Sequence, residues 1–185
     1  MTSQRTFAHT RVLTLTDEVV DHAIGMLGSA LVTRFGQPGA IIGIANGGLV
    51  PAEKLAAKLV TSRFWVAARH NATDDLYSQA TGQVTTDVTT LSAALEGHRL
   101  PGPVVLVDDI CGTGATFDAL RPSLHPLVAP DARVLTVTLC LNEGSPIRPD
   151  LWAWTVGDWV RFPWEGHLPG GQPQEPLPLP RRINP

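Results

Sequence analysis

Cysteine is scarce in this chain of 185 residues: there are two, Cys111 and Cys140. Two thiols cannot make a zinc site by themselves, and the six histidines do not cluster beside them, so a structural zinc motif is excluded. A disulfide-built secreted scaffold is also unexpected, and a reduced, cytoplasmic protein is the simplest reading. No apolar run approaches the roughly 20 residues that span a bilayer, and the N-terminal stretch lacks the apolar core of a secretory signal. No membrane partner is therefore expected. A surplus of positive charge is missing too. Lys and Arg total 14 against 17 Asp and Glu, a net charge of −3, with no basic run. That gives no support to nonspecific binding of nucleic acid or acidic membrane. No internal repeat is visible, and nothing marks a second domain.

What the chain does have is enough apolar sequence for a core. Hydrophobic residues make up 43% and charged residues 17%, ordinary values for a globular protein of one domain. The most informative stretch runs from Val104 to Phe117. Val104-Val105-Leu106-Val107 is a four-residue aliphatic run, suited to a strand covered on both faces. Asp108 and Asp109 follow, then Ile110-Cys111-Gly112-Thr113-Gly114-Ala115-Thr116, then a helical pattern. The order reads as buried strand, acidic corner, anion loop and helix start. Gly112 and Gly114 permit backbone conformations closed to other residues and let a ligand approach closely. The amides that open the next helix favour an anion. The two carboxylates suit hydroxyl groups, or a magnesium ion shared with a phosphate. A phosphorylated ribose meets those demands together. A Walker A loop does not fit, because no lysine is present, and a dinucleotide fingerprint would need a third glycine where Phe117 stands.

Along the rest of the chain, residues 1–15 read as a leader with a short strand over 11–15. Thr16 is an N-cap, with Asp17 and Glu18 in the first turn. Val19, Val20, Ala23, Ile24, Leu27, Leu31 and Phe35 recur at helical spacing, and Gly36-Gln37-Pro38-Gly39 ends that helix. Residues 40–45 form a buried strand that runs into Asn46-Gly47-Gly48, and Pro51 opens a small-residue helix. Residues 63–68 are a third strand, followed by Arg69, His70 and a polar stretch over 71–87 of a length that is often a functional lid. Residues 84–90 return as an antiparallel strand, and 91–100 are a connector. Phe117, Leu120 and Leu124 mark a helix limited by Pro122. Residues 134–141 are another buried strand, and 152–157 are strand-like. Strands alternating with helices give an α/β class with a parallel sheet. Residues 166–185, dominated by proline and glycine, read as an extended tail.

Val107-Asp108-Asp109-Ile110, with Thr113-Gly114 and Thr116, resembles the 5-phosphoribosyl-1-pyrophosphate (PRPP) motif of type I phosphoribosyltransferases. Asn46-Gly47-Gly48-Leu49-Val50-Pro51 is similar to the pyrophosphate loop of the purine enzymes, above all the bacterial xanthine–guanine and hypoxanthine kinds. In the family that loop's backbone binds pyrophosphate, often through a non-proline cis peptide. A basic residue commonly precedes the glycines, where this chain has Asn46. Trp159-Val160-x-x-Pro163-Trp164 resembles a stretch of the xanthine–guanine enzymes whose first Trp stacks on the purine. The resemblance implies a central parallel sheet flanked by helices, with a small hood built from N- and C-terminal segments and a flexible lid. It implies a phosphoribosyltransferase domain over 1–165, followed by the tail. It also implies Mg²⁺-dependent transfer from PRPP to a nitrogenous base. Cys111, Gly112, Thr113, Gly114, Ala115 and Thr116 would bind the 5-phosphate. Asn46, Gly47 and Gly48 would bind pyrophosphate. Asp108 and Asp109 would serve the ribose and the metal, Arg69 would meet pyrophosphate at the lid's start, and Trp159 and Val160 would bind the base. The family usually forms dimers or higher assemblies, so a homo-oligomer is expected.

One departure stands out. Typical 6-oxopurine enzymes have an aspartate in the loop where this chain has Gly112, and that aspartate lies near the purine imidazole as proton acceptor. Glu165, Asp158 and His167 are the sequence-level substitutes. Two other readings stay open: a PRPP-responsive regulator, and a transferase with a non-nucleobase acceptor.

Overall fold

Strand β5 (Val104–Cys111) is the axis of the molecule. Its aliphatic side chains alternate between two cores: Val105 and Val107 enter one, Val104 and Leu106 the other. That two-sided burial is why the run contains no polar residue before Asp108. The computed structural model describes residues 5, 7, 8, 10–69, 84–166 and 173–185. Its main sheet has six strands in the order β4-β3-β2-β5-β6-β7. Here β2 is Ala40–Ala45, β3 Arg63–Arg69, β4 Thr85–Asp87, β6 Val134–Asn142 and β7 Leu151–Val156. All neighbours are parallel except β3 and β4.

Helices α1 (Asp17–Phe35) and α2 (Leu49–Leu59) cover one face. Helices α3 (Thr89–Leu95) and α4 (Ala115–Leu124) cover the other. The start of α1 follows the expectation: the Val19 amide donates to Thr16 Oγ at 3.3 Å, and Gly36 ends the helix with φ 83°. Helix α2 begins at Leu49, two residues before Pro51, so the proline sits inside the first turn, where its missing N–H has no helical partner to lose. Residues 91–100 are not a plain connector. Leu91 and Leu95, one helical turn apart, are both buried, and Asp87 Oδ1 holds the Thr89 amide at 2.8 Å where α3 opens. Two apolar anchors in seven residues are too few to show as periodicity. Pro122 does not end its helix either. Helix α4 runs on to Leu124, and a short 3-10 turn, His125–Leu127, continues it.

A second, three-stranded sheet joins the chain's ends in the order β8-β1-β9. Strand β1 (Val12–Thr14) pairs in parallel with β8 (Trp159–Arg161) and with β9 (Gln174–Pro176). This is the expected hood. Residues 173–185 therefore do not trail away from the domain. Ile183 is buried in the core, the Trp154 indole N–H donates to the Pro178 carbonyl at 2.9 Å, and Asn184 pairs with Trp152. A proline-rich segment makes few ladder bonds of its own, yet it can lie along an existing edge and fill grooves with its rings and leucines. Among the described residues no helix is long and apolar enough to cross a membrane.

Candidate active site

Asp108 and Asp109 lie near the C-terminal end of β5, at the edge where open parallel sheets bind ligands. The Asp109 amide donates to Asp108 Oδ1 at 3.0 Å. Burial raises the Asp108 pKa well above the usual carboxylate range, and the adjacent Asp109 charge raises it further. Burial also pushes Asp109 up to about 6, against the opposing pull of the Arg5 guanidinium. Two neighbouring acids held this way favour a cation or a set of hydroxyl donors between them and solvent.

The loop that follows folds over them. Gly114 is left-handed, with φ 82°, and caps α4. A Cβ there would lie 2.7 Å from Ile147 Cγ2, so both conformation and space demand glycine. The turn leaves the first amides of α4 facing a small recess lined by Asp108, Gly112, Thr113 and Thr116. Cys111 faces away. Its Sγ lies 3.6 Å from Ser145 Oγ and 3.5 Å from the Ile147 carbonyl. Burial pushes its thiol up to about 11, so it is neutral and inert, and only its backbone is placed to meet an anion.

The second loop follows β2. The Ala45–Asn46 peptide is cis, in keeping with the family resemblance. Gly47 abuts the acid pair: a Cβ on it would come within 2.5 Å of Asp109 Cγ. Gly48 is pressed against β2, where a Cβ would lie 2.8 Å from the Ile44 amide nitrogen. The Gly48 amide, expected to serve pyrophosphate, donates instead to the Ile44 carbonyl at 2.8 Å. The two glycines thus do different work: Gly48 makes the turn, and Gly47 brings the backbone against Asp109. Arg69 is the exposed last residue of β3, at the same edge, with Thr85 of β4 opposite it. Residues 70–83, the body of the expected lid, and His167 lie outside the described residues.

Trp159 opens β8 of the three-stranded sheet. Its ring lies 5.9 Å from that of Phe7, tilted by 38°. Val160 is buried in the core, opposite Leu13 of β1, so only its backbone can address a ligand. The N-terminal segment is tied down around this point. The Ala8 amide donates to the Gly157 carbonyl at 2.8 Å. Asp158 Oδ2 accepts from the Thr10 amide, the Thr10 hydroxyl and the Arg11 amide, at 3.2, 2.9 and 3.3 Å.

A model of the phosphoribosyl transferase domain matches residues 13–169. The chain belongs to that family. It is accordingly a phosphoribosyltransferase, an enzyme that moves the phosphoribosyl group of PRPP to a base. Its fold is shared with solved purine enzymes. One is the purine phosphoribosyltransferase of Pyrococcus horikoshii, 24% identical, with a TM-score of 0.64 over 87% of this chain and 99% of that one. Another is the xanthine-guanine-hypoxanthine phosphoribosyltransferase of Helicobacter pylori, 16% identical, with a TM-score of 0.66 over 84% and 93%. A hypothetical protein of Neisseria gonorrhoeae solved with bound ppGpp has the same fold, 20% identical, with a TM-score of 0.60 over 85% and 92%.

Within this phosphoribosyltransferase, two of the three substitutes for the missing loop carboxylate are already committed. Burial alone would raise the Asp158 pKa, but hydrogen bonds from Thr10, Arg11 and Trp159 together hold it below the usual value. It is a buried pin for the hood. Glu165 Oε2 accepts from the Phe162 amide at 2.9 Å and closes its own turn. Arg5 is a site residue that the sequence did not reveal. A Cβ on Gly112 would lie 2.7 Å from Arg5 Cζ, so the guanidinium covers the loop position that holds an aspartate in the 6-oxopurine enzymes. A single arginine in a leader carries no periodicity and no motif, and only the docking of residues 7, 8, 10 and 11 on the hood brings it there.

Proposed function

We propose that this chain is a Mg²⁺-dependent phosphoribosyltransferase that transfers 5-phosphoribosyl from PRPP to a purine or purine-like base and releases pyrophosphate. The observation that carries this reading is the contact of Gly47 with Asp109. It sets two anion loops against one acidic corner, with a polar recess on the α4 side and an aromatic pair, Phe7 and Trp159, beyond. Such a layout suits a ligand bearing phosphates at two ends of a ribose.

Residues 111–116 would hold the 5-phosphate through the loop and the α4 amides, with the Thr113 and Thr116 hydroxyls adding donors. Asn46 and Gly47 would present backbone to pyrophosphate, with Arg69 supplying positive charge at the same edge. Asp108 and Asp109 would orient the ribose hydroxyls. The same pair fits a divalent cation: no third His, Cys, Asp or Glu joins it among the described residues, and Mg²⁺ characteristically takes one or two carboxylates and completes its shell with phosphate oxygens and water. When bound, Mg²⁺ offsets the charge of the departing pyrophosphate. Trp159 would stack on a flat heteroaromatic base, because that contact needs only two π faces. The protein's contribution is positioning and electrostatics around an oxocarbenium-like sugar. The purine enzymes among the structural neighbours support a purine acceptor.

The test is pyrophosphate release from PRPP and Mg²⁺ with hypoxanthine, guanine, xanthine, adenine and orotate, beside the Asp108→Asn/Asp109→Asn variant. Release with a purine, lost in the variant, is the expected result. Release with orotate alone overturns the purine assignment, and failure to bind PRPP overturns the whole reading.

A further inference from the structure

A ring nitrogen that attacks the sugar must lose its proton; the loop aspartate expected to take it is absent, and two of its three sequence-level substitutes are engaged. The phosphate loop, residues 110–116, contains no carboxylate. Asp158 and Glu165 spend their oxygens on backbone donors. Among the described residues a further carboxylate lies beside the β7–β8 turn. Glu143 follows β6 directly, and its backbone is fixed there because its amide donates to the Val156 carbonyl at 2.9 Å. The carboxylate stands over Gly157, where a Cβ would lie 2.7 Å from Glu143 Oε2. Glu143 begins the loop that also touches the phosphate loop, through Ser145 against Cys111 and Ile147 against Gly114. Its loop thus touches the phosphate loop, and the glycine under its carboxylate lies two residues before Trp159 in the chain.

Glu143 also lines a cavity of about 250 Å³ with Phe7, Thr10, Arg11 and Asp158. The other charged or hydroxyl side chains around that space are occupied. The Thr10 hydroxyl donates to Asp158, and the Arg11 guanidinium pairs with Glu175. Of the charged and hydroxyl side chains described there, that of Glu143 alone makes no hydrogen bond or ion pair. The charged residues that share this cavity with it are Arg11 from the N-terminal segment and Asp158 from the β7–β8 turn, while Arg5 lies against Gly112.

We infer that Glu143 is the general base of the transfer, an assignment that rests on the purine-acceptor reading above. The N–H of the acceptor gives its proton to the Glu143 carboxylate. The electron pair of that nitrogen forms the bond to C1 of the ribose, and the C1–O bond to pyrophosphate breaks, its electrons leaving on pyrophosphate. The proton passes to solvent when product leaves.

The experiment compares Glu143→Gln and Glu143→Ala with the unaltered enzyme. Turnover is measured with the purine panel, PRPP·Mg²⁺ affinity by calorimetry, and Glu143→Ala is assayed again in added sodium formate. The expected result is a fall in kcat of about 100-fold or more for Glu143→Gln, PRPP affinity within about twofold, and partial recovery of Glu143→Ala by formate. Formate recovery marks a proton-transfer role, because a merely structural loss would not respond to it. A Glu143→Gln kcat within about threefold of the unaltered enzyme overturns the assignment, as does a loss that formate leaves unchanged while PRPP affinity falls in step. If the unaltered enzyme releases no pyrophosphate with any purine, the purine reading fails, and this assignment fails with it.

Discussion

The loops proposed to face the phosphates come from two adjacent strands of one sheet, whereas the surface proposed for the base is assembled from segments near both ends of the chain. Strand β2 pairs with the first half of β5, Ala40–Gly43 against Val104–Val107, so the loops that follow them are fixed relative to each other by backbone hydrogen bonds. The proposed base side depends on β1 pairing with β8, on the docking of residues 7 and 8 there, and on Asp158 gripping Thr10 and Arg11. A donor common to a whole family is met by rigid, short-range structure. An acceptor that differs between members is met by segments whose sequence can change without disturbing the sheet.

That contrast can be broken most sharply at the acid pair. Asp108→Asn/Asp109→Asn should lower kcat/KM by about 10³-fold or more, since positioning and charge at the ribose are lost together. The same variant should be more heat-stable at pH 7. Both folded-state pKa values are raised, so the folded protein binds more protons than the unfolded chain from the ordinary carboxylate range up to about 6 for Asp109. The ionised pair therefore costs stability above that window, and the cost fades as pH falls through it. A rise of several degrees in Tm at pH 7, shrinking at pH 4.5, is expected; an unchanged or lower Tm would show that the pair is not strained in the empty site. PRPP·Mg²⁺ binding should run the opposite way and weaken as pH drops below about 6, which calorimetry across pH 5–8 reads directly.

On the acceptor side, Trp159→Ala should raise KM for the base by about ten- to a hundredfold, the range of one base–aromatic stack, and leave PRPP affinity unchanged. Equal loss for donor and acceptor would mean that the two halves are not separable. Gly48→Ala tests the donor half without touching charge. The added methyl meets the Ile44 backbone, which cannot swing aside, so a loss of about 1–3 kcal/mol is expected by denaturant titration. Thr10→Val should have the smallest effect, about 1 kcal/mol from one hydrogen bond to Asp158. It should raise the base KM more than the PRPP KM if the hood belongs to the acceptor half.

The strand, acidic corner and loop of the proposed donor half were legible because their signal is local. A buried run, two acids and a small-residue loop lie within fourteen consecutive positions, and each constrains the next. Helix α1 announced itself through its cap and its seven periodic apolar residues. Helix α3 did not, because Leu91 and Leu95 are too few to make a pattern. The docking of residues 173–185 was hidden by a composition that normally marks extended chain, although its prolines and leucines are suited to lying in grooves. Arg5 and Glu143 carry no motif at all. The choice among Glu165, Asp158 and His167 rested on nearness in sequence, and for Asp158 and Glu165 the hydrogen bonds show a structural task instead.

The sequence by itself determined the parallel sheet, the acidic corner and the loop that caps α4, because strand periodicity, glycine conformation and helix-end polarity act over a few residues. Only the tertiary structure decided what lies opposite that corner. Arg5 reaches Gly112, and Glu143 reaches Gly157, across chain separations that no local preference spans. Their placement follows from β1 pairing with β8 and from the length of β6, which are consequences of burying two cores at once.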